Sequence, residues 1–368
     1  MLTPDKVTLL IAGKEHGDWS SYEVDSDLLT PADAFHVTLG MPDGQMPPDV
    51  VAGASVEVKV GADTVMTGYV DEIAHQVSKT SHTFTMSGRD FAADLLDCAC
   101  PIFTKKEAAL SEIVAAIVRD FNITKHIIDA DTTLTRKKVA VDPGESAWNT
   151  LCHAAEANGL WPWFEPDGTL VVGGPDYNEP EVATLILRRD GSGNNVISLD
   201  KTESMAERFS KVTVYGQAPG TSLDPGQNNL YYSAPDYAVS RNRPKIVQDH
   251  EADSVAVCTG RARKLIADSR LQGLTLSALV KGHRIVAPGQ PADGLLWKPG
   301  QRVRVISEPH GIDEVYFLMA RKFTRNRSDG TRTALTLKED GAWLMDAHPH
   351  NRHRRGKNSL PSIVGTAP

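Results

Sequence analysis

Apolar and polar positions alternate strictly in three consecutive runs near the start of the chain, and the same three runs return near its end. The first set reads GASVEVKV (residues 53–60), VMTGYVDEI (65–73) and SKTSHTFTM (78–86). The second reads GQRVRV (300–305), VYFLMARKF (315–323) and SDGTRTALTL (328–337). The offset between copies is 247 at Gly53/Gly300, 250 at Val65/Val315 and Ser78/Ser328, and 251 at Met86/Leu337, so they differ only by loop-sized insertions. Period-two alternation rich in Val, Thr and aromatics, interrupted by Gly and Asp, predicts a half-buried antiparallel meander. The chain is therefore expected to hold two similar antiparallel β-barrel domains related by internal duplication.

Strands predicted over 6–12 and 34–39, with a Gly/Asp turn between them, join the first meander. The segment MPDGQMPP (41–48) is a loop, because three prolines delete ladder donors. The period then changes. Thr104 to Glu107 has the form of a capping box, and Leu110, Ile113, Val114, Ile117, Val118 and Phe121 follow at helical spacing. A second helix carries Trp148, Leu151, Cys152 and Ala155 on one face and stops at Asn158 and Gly159, a left-handed cap signal. LWPWFE (160–165) and TLVV (169–172) flank a turn at Pro166, Asp167 and Gly168 and predict a hairpin. Strands follow over 183–187, 196–199 and 211–215, then an irregular passage over 216–227. A helix over 253–269 has Ala262, Leu265 and Ile266 apolar and Arg261, Arg263 and Lys264 solvated. It is closed by Gly273, and a strand over 274–280 leads into the second meander. The predicted fold is mainly β with an α+β insertion. A first barrel spans 1–97, and an α+β middle domain spans 98–182, completed by 218–273. The second barrel is built from 183–217 and 274–345, and a flexible basic tail covers 346–368.

Length and charge narrow the function. At 368 residues the chain has room for two or three cores. Its net charge is −8, and beyond Ala347 the only charged residues are Arg352, Arg354, Arg355 and Lys357, leaving about −12 on the remainder. Such a body argues against a nucleic-acid clamp, which needs clustered cations to neutralise phosphates. No apolar run approaches ~18 residues, so no membrane span is predicted. The start, MLTPDK, lacks a basic region followed by an apolar core, and folding in a cytoplasm is expected. Cys98, Cys100, Cys152 and Cys258 are too few and too irregular for a disulfide framework or a paired zinc motif and read as reduced, structural residues.

Several clusters could carry chemistry. DGSGNN (190–195) offers oxygens at alternate positions like a calcium loop, but Lys201 stands where the twelfth-position Glu belongs, which favours a plain turn. Gly191 and Gly193 are a broken piece of a dinucleotide fingerprint, followed by a strand instead of a helix. Cys152 and His153 are adjacent on a helix and point in different directions, so a core cysteine and a surface histidine are expected. His348, His350 and His353 lie in the tail, where fixed metal geometry is not expected. Glu165 and Asp167 beside Trp161, Trp163 and Phe164 fit a hairpin tip better than the paired carboxylates of a glycosidase.

Gly88, Arg89 and Asp90 followed by ADLLD (93–97), then PGES (143–146), Gly159 and Leu160 with DGTL (167–170), VYGQ (214–217) and LWKPGQ (296–301) form an ordered set of landmarks. In that order they resemble the baseplate hub proteins of Mu-like contractile-tailed phages, relatives of the late control D proteins and of the first part of type VI secretion spike proteins. The resemblance implies a structural protein, not an enzyme, without cofactor or metal. It implies a homotrimeric ring that joins a six-fold tail tube to a three-fold central spike and lines the channel through which DNA passes without specific binding. The partners implied are a second and third copy of the chain, the spike, the tube protein and other baseplate proteins, and the location is the tail baseplate of the virion. Because the chain stops where type VI spikes continue into a β-helix, the spike is expected to be a separate protein. With chain contacts placed on barrel edges, Val56, Val58, Val303, Val305 and Trp297 are the candidate interface residues. The rival readings are a tail-associated cell-wall hydrolase, a barrel-type nucleic-acid binder and the hub of a phage-tail-like bacteriocin or type VI-like device.

Overall fold

The computed structural model describes residues 5–40, 50–218, 227–250 and 252–343. Strand accounts for 46% of the chain and helix for 13%, so the fold is mainly β. The first module is built from β1 (Val7–Ile11), β2 (Lys14–His16), β3 (Ser21–Asp27), β4 (Ala34–Gly40), β5 (Ser55–Val60), β6 (Asp63–Val77) and β7 (His82–Asp90). They lie in the order β3-β4-β7-β6-β5-β1-β2, every neighbour antiparallel. Alternation sets which face is covered: along β7 the buried positions are Phe84, Met86, Gly88 and Asp90, with Thr83, Thr85, Ser87 and Arg89 between them. The strand β3, with only Tyr22 and Val24 as apolar markers, occupies a stretch expected to be turn.

A second unit follows, with α1 (Ala92–Asp97), β8 (Thr104–Ala108), α2 (Leu110–Val118), β9 (His126–Ile128), β10 (Arg136–Ala140), α3 (Ala147–Glu156), β11 (Trp161–Phe164) and β12 (Leu170–Gly173). Its core holds the helical stripe Leu110, Ile113, Val114, Ile117 and Val118 against Trp148, Leu151 and Ala155. The expected capping box is corrected: Thr104–Ala108 is a strand paired with β10, and α2 begins after Ala109, whose N–H donates to the Glu112 carboxylate at 3.0 Å. Ser146 caps α3 by accepting from the Asn149 N–H at 3.2 Å, and Gly159 adopts a φ of 67° just past its end.

After β13 (Glu181–Leu187) and β14 (Ser198–Glu203) comes a third unit, with β15 (Lys211–Ala218), β16 (Gln227–Pro235), β17 (Pro244–Gln248) and α4 (Val255–Leu271). Here the expected boundary moves. Strand β15 pairs with β16 and β17 and packs its Val212 and Val214 under α4, so it belongs with this unit and not with the second β module. Lys264 is not solvated: it is 2% exposed, holds Asp268 and lies 4.4 Å from the Trp161 ring centroid. Arg261 reaches Glu156 at 2.6 Å and Asp249 at 2.9 Å, tying the second and third units together.

The chain ends its described course with β18 (Leu274–Lys281), β19 (Arg302–Ser307), β20 (Ile312–Asn326) and β21 (Gly330–Glu339). With β13 and β14 they lie in the order β14-β18-β21-β20-β19-β13. The first module, read from β3, is ordered β3-β4-β7-β6-β5-β1. One direction differs: β1 runs antiparallel to β5, whereas β13 runs parallel to β19. Both 15-residue strands, β6 and β20, carry a register shift against their hairpin partner, between Val70 and Glu72 in one and between Leu318 and Ala320 in the other. Matching these shifts aligns Val70 with Leu318, an offset two residues shorter than the 250 seen at Val65/Val315 in the sequence. Among the described residues neither module closes into a barrel. Instead β20 pairs with β3, and all thirteen strands form one continuous sheet.

Candidate assembly surface

The junction of the two modules holds a buried polar site. Residues 320–325 of β20 pair antiparallel with 22–27 of β3, Phe323 opposite Val24. Beneath this pairing Arg321 is 4% exposed, donates from Nη1 to the Val24 carbonyl at 2.8 Å and lies 4.1 Å from the Phe323 ring centroid. Burial lowers its pKa to about 10, opposed by the nearby Asp33 and Asp25 carboxylates. His283 is fully buried, stacked at 4.4 Å on Phe323, with Nε2 2.9 Å from the Tyr22 hydroxyl and Nδ1 3.0 Å from the Thr333 hydroxyl. Desolvation, with Arg321 adding to it, pushes the imidazole down to about 3. Asp33 and Asp90 are pushed upward by burial, and the charge of Asp33 adds to the shift on Asp90. Asp90 accepts from the Ala92 N–H at 2.9 Å and so starts α1.

The opposite face of this sheet is polar and open. Glu23, Asp25 and His36 are exposed, Thr38, Thr85, Thr324 and Thr336 are half-buried, and Lys322 pairs with Glu23. The run β14-β18-β21-β20-β3-β4-β7-β6 ends on two edges that carry no ladder partner among the described residues. One is the second half of β6, where residues after Val70 pair only with β7; the other is β14, which pairs only with β18. Val77 and Ile197, at these edges, are 59% and 50% exposed.

The residues expected at an interface lie elsewhere. Val58, Val303 and Val305 are fully buried, Val56 is 2% and Trp297 4% exposed, and all belong to the main core. Strand β5 is flanked by β1 and β6, and β19 by β13 and β20, so neither is an edge. The alternation that singled these valines out marks a core face, and a core side chain cannot also meet another chain.

Other candidates have structural duties. Asp190 accepts from both the N–H and hydroxyl of Ser192, while Asn194 and Asn195 bind the backbone at Arg188 and Ile186, leaving a plain turn. Glu165 accepts from the Trp163 indole at 3.1 Å and pairs with Lys298 at 2.5 Å; Asp167 accepts from the Thr169 N–H at 3.0 Å. Cys152 is buried, its thiol pKa raised by desolvation, and His153 lies 3.2 Å from Glu145. All four cysteines are free. His348, His350, His353 and the whole basic tail fall outside the described residues. Among the described residues no helix is long and apolar enough to cross a membrane. Several of the ordered landmarks acquire reasons. A Cβ on Gly88 would stand 2.1 Å from the Tyr69 carbonyl oxygen, and Arg89 bridges Asp71 and Asp97 at 2.6 and 2.7 Å.

This arrangement of two β modules around smaller α+β units is that of phage tail hub proteins. Four family models cover the chain in succession: the N-terminal part of Mu phage baseplate assembly protein GpP-like proteins (residues 6–90), the second domain of baseplate hub protein gp44-like proteins (92–174), the third domain of tail protein NMB1110-like proteins (208–266) and a tail protein C-terminal domain (268–342). A crystal structure of a tail protein from Neisseria meningitidis is 39% identical, with a TM-score of 0.81 over 94% of this chain and all of that one. The baseplate hub protein gp44 of Escherichia phage Mu is 26% identical over 97% of this chain and 94% of its own length. A 43 kDa tail protein of prophage MuSo2 from Shewanella oneidensis, at 24% identity and a TM-score of 0.78, shares the fold. The chain belongs to the baseplate hub (tail) proteins of Mu-like phages and prophages.

Proposed function

We propose that three copies of this chain form a ring that joins a six-fold tail tube to a three-fold central spike and surrounds the path of the DNA. The carrying observation is the repeated strand order of the two β modules and their union into one sheet through β20 and β3. A trimer of a chain with two equivalent modules presents six similar units on one side and true three-fold contacts on the other. Internal duplication of a barrel-like module is the simplest origin of that order, with closure supplied by neighbouring chains. The open face of the sheet, rich in Thr and with Lys322 already paired with Glu23, suits a channel wall: DNA slides past without electrostatic trapping. Assembly takes place in the host cytoplasm and the product is part of the virion. Electron microscopy of the purified chain, alone and with its spike, tests the proposal. A ring with three-fold symmetry and a central hole is expected, and a compact monomer under both conditions overturns it.

A further inference from the structure

The small sheet of the third unit has one covered face and one bare face. Val212 and Val214 of β15, Leu230 and Ala234 of β16 and Val247 of β17 turn toward α4 and make the unit's core. The alternate positions point the other way. Tyr215 stands opposite Tyr231, and Thr213 stands between Ser233 and Ile246, so these side chains share one surface. Tyr215 is 45%, Tyr231 57% and Ile246 69% exposed, and the two tyrosine rings lie 5.7 Å apart. Exposed apolar side chains scattered singly are ordinary, whereas a contiguous group of them marks a surface with a partner. At one end the face continues into Pro235 and Pro244 on either side of Lys211, its one charged residue among those described. The hydroxyls of Thr213 and Ser233 bond each other at 2.8 Å, so the centre of the face has no polar demand on an occupant.

The described chain ends close to that surface. Tyr237, two residues past β16 and 92% exposed, lines a groove together with Gly341 and Ala342. The next residue, Trp343, is 1% exposed and held on both sides of its backbone: its N–H donates to the Tyr177 hydroxyl at 3.1 Å, and its carbonyl accepts from that hydroxyl at 3.0 Å. The last part of the sequence therefore departs from a fixed point beside the Pro235 end of the bare face. That part divides by composition. Its cations are Arg352, Arg354, Arg355 and Lys357, and the stretch SLPSIVGTAP (359–368) then carries no charge and holds Leu360, Ile363 and Val364.

We infer that residues 359–368 lie on the bare face of the third unit of the same chain, with Leu360, Ile363 and Val364 covering Tyr215, Tyr231 and Ile246. Reach allows it: the residues between Trp343 and Ser359 span up to ~53–58 Å when extended, and the face from Lys211 to Tyr215 is only ~13 Å long. Charge selects the segment. A surface whose one charge is the cation of Lys211 disfavours the stretch 352–357 and admits the uncharged residues that follow. Tethering then makes a modest apolar contact sufficient, because the segment is held near the face at an effective concentration of order millimolar. The contact needs one copy of the chain and is independent of the ring. While it holds, the aromatic face is withheld from other proteins.

A photoreactive residue reads the contact directly. The full chain with p-benzoylphenylalanine in place of Ile363 is prepared in ordinary and nitrogen-15 forms, mixed and irradiated, and the adducts are mapped by mass spectrometry. Expected are adducts to residues of β15, β16 or β17 that join segments of the same label, in a yield that does not fall on dilution. Adducts that join the two labels place another copy's segment on the face and overturn the inference, as do adducts confined to other parts of the chain or none at all. Hydroxyl-radical footprinting supplies a second reading on side chains of the full chain. Ile363→Asp combined with Val364→Asp should raise oxidation of Tyr215 and Tyr231 several-fold, while Ile102 and Val286, exposed elsewhere, stay as in the parent. Equal oxidation of the two tyrosines in parent and variant counts against the contact.

Discussion

The Tyr22 hydroxyl and the His283 Nε2 lie 2.9 Å apart across 261 residues of chain, and the bond is fully buried. It stitches the first β module to the second directly beneath the strand pairing that makes them one sheet. Because the imidazole is held neutral, with its pKa pushed down to about 3 from 6.5, its contribution to stability is complete above pH 6.5 and is lost as pH falls from there towards 3. Each pH unit in that window costs about 1.4 kcal/mol, so the group removes roughly 2–3 kcal/mol between pH 7 and 4.5. His283→Gln should be less stable than the parent at pH 7.5 yet lose less on acidification. Urea unfolding across this range checks it; parallel acid profiles for parent and variant would refute the assignment.

The carboxyls of Asp33 and Asp90 act in the opposite sense. Both pKa values are raised in the folded chain; for Asp33, raised to about 6 from 3.8, the stability it allows is complete below about pH 4 and is lost as pH rises through 6, and Asp90 is shifted in the same direction. Asp90→Asn keeps an acceptor for the Ala92 N–H and removes one charge. It should gain on the order of 1–2 kcal/mol at pH 7.5 and nothing at pH 4. Thermal melts at the two pH values distinguish this from a general effect on α1.

Gly88 sits where β7 passes closest to its neighbours. A methyl group there would lie 2.1 Å from the Tyr69 carbonyl oxygen and 2.6 Å from the Phe35 ring. Backbone cannot yield as a side chain can, so Gly88→Ala should cost about 2–4 kcal/mol or leave the chain insoluble. Gly144→Ala is a useful comparison, because no atom stands within 4 Å of its added carbon and the loss comes from its φ of +91° alone. A denaturation midpoint for Gly88→Ala equal to that of Gly144→Ala would contradict the steric account.

Lys264 joins the second and third units through Asp268, Glu156 at 3.8 Å and the Trp161 ring. Its removal leaves two carboxylates near each other with less compensation. Lys264→Met should destabilise the chain by roughly 2–4 kcal/mol, whereas Lys264→Met combined with Asp268→Leu should recover much of the loss. Differential scanning calorimetry of the single and double variants decides; an unaltered single variant would mean that the ammonium contributes nothing there.

The sequence by itself determined the local elements. Period-two alternation located β5, β6, β7, β19, β20 and β21, helical spacing located α2 and α3, and a Pro-Asp-Gly turn located the β11–β12 hairpin, because these patterns depend on contacts within a few residues. Ordered landmarks such as Gly88 to Asp90 also pointed to the hub family, and Gly88, Arg89 and Asp90 each have a local structural duty. What the pattern could not determine was which strand lies beside which. Alternation shows that one face of a strand is covered and is silent about its edges, which is why Val56, Val58, Val303 and Val305 looked like contact residues and are core. The strand β3, with Tyr22 and Val24 as its only apolar markers, was invisible until β20 lay against it. Lys264 looked solvated because burial of a cation depends on Glu156, more than a hundred residues away. Tertiary structure alone decided that the two modules share one sheet and leave β6 and β14 with open edges, since strand pairing over such distances is fixed by how the separate cores pack together.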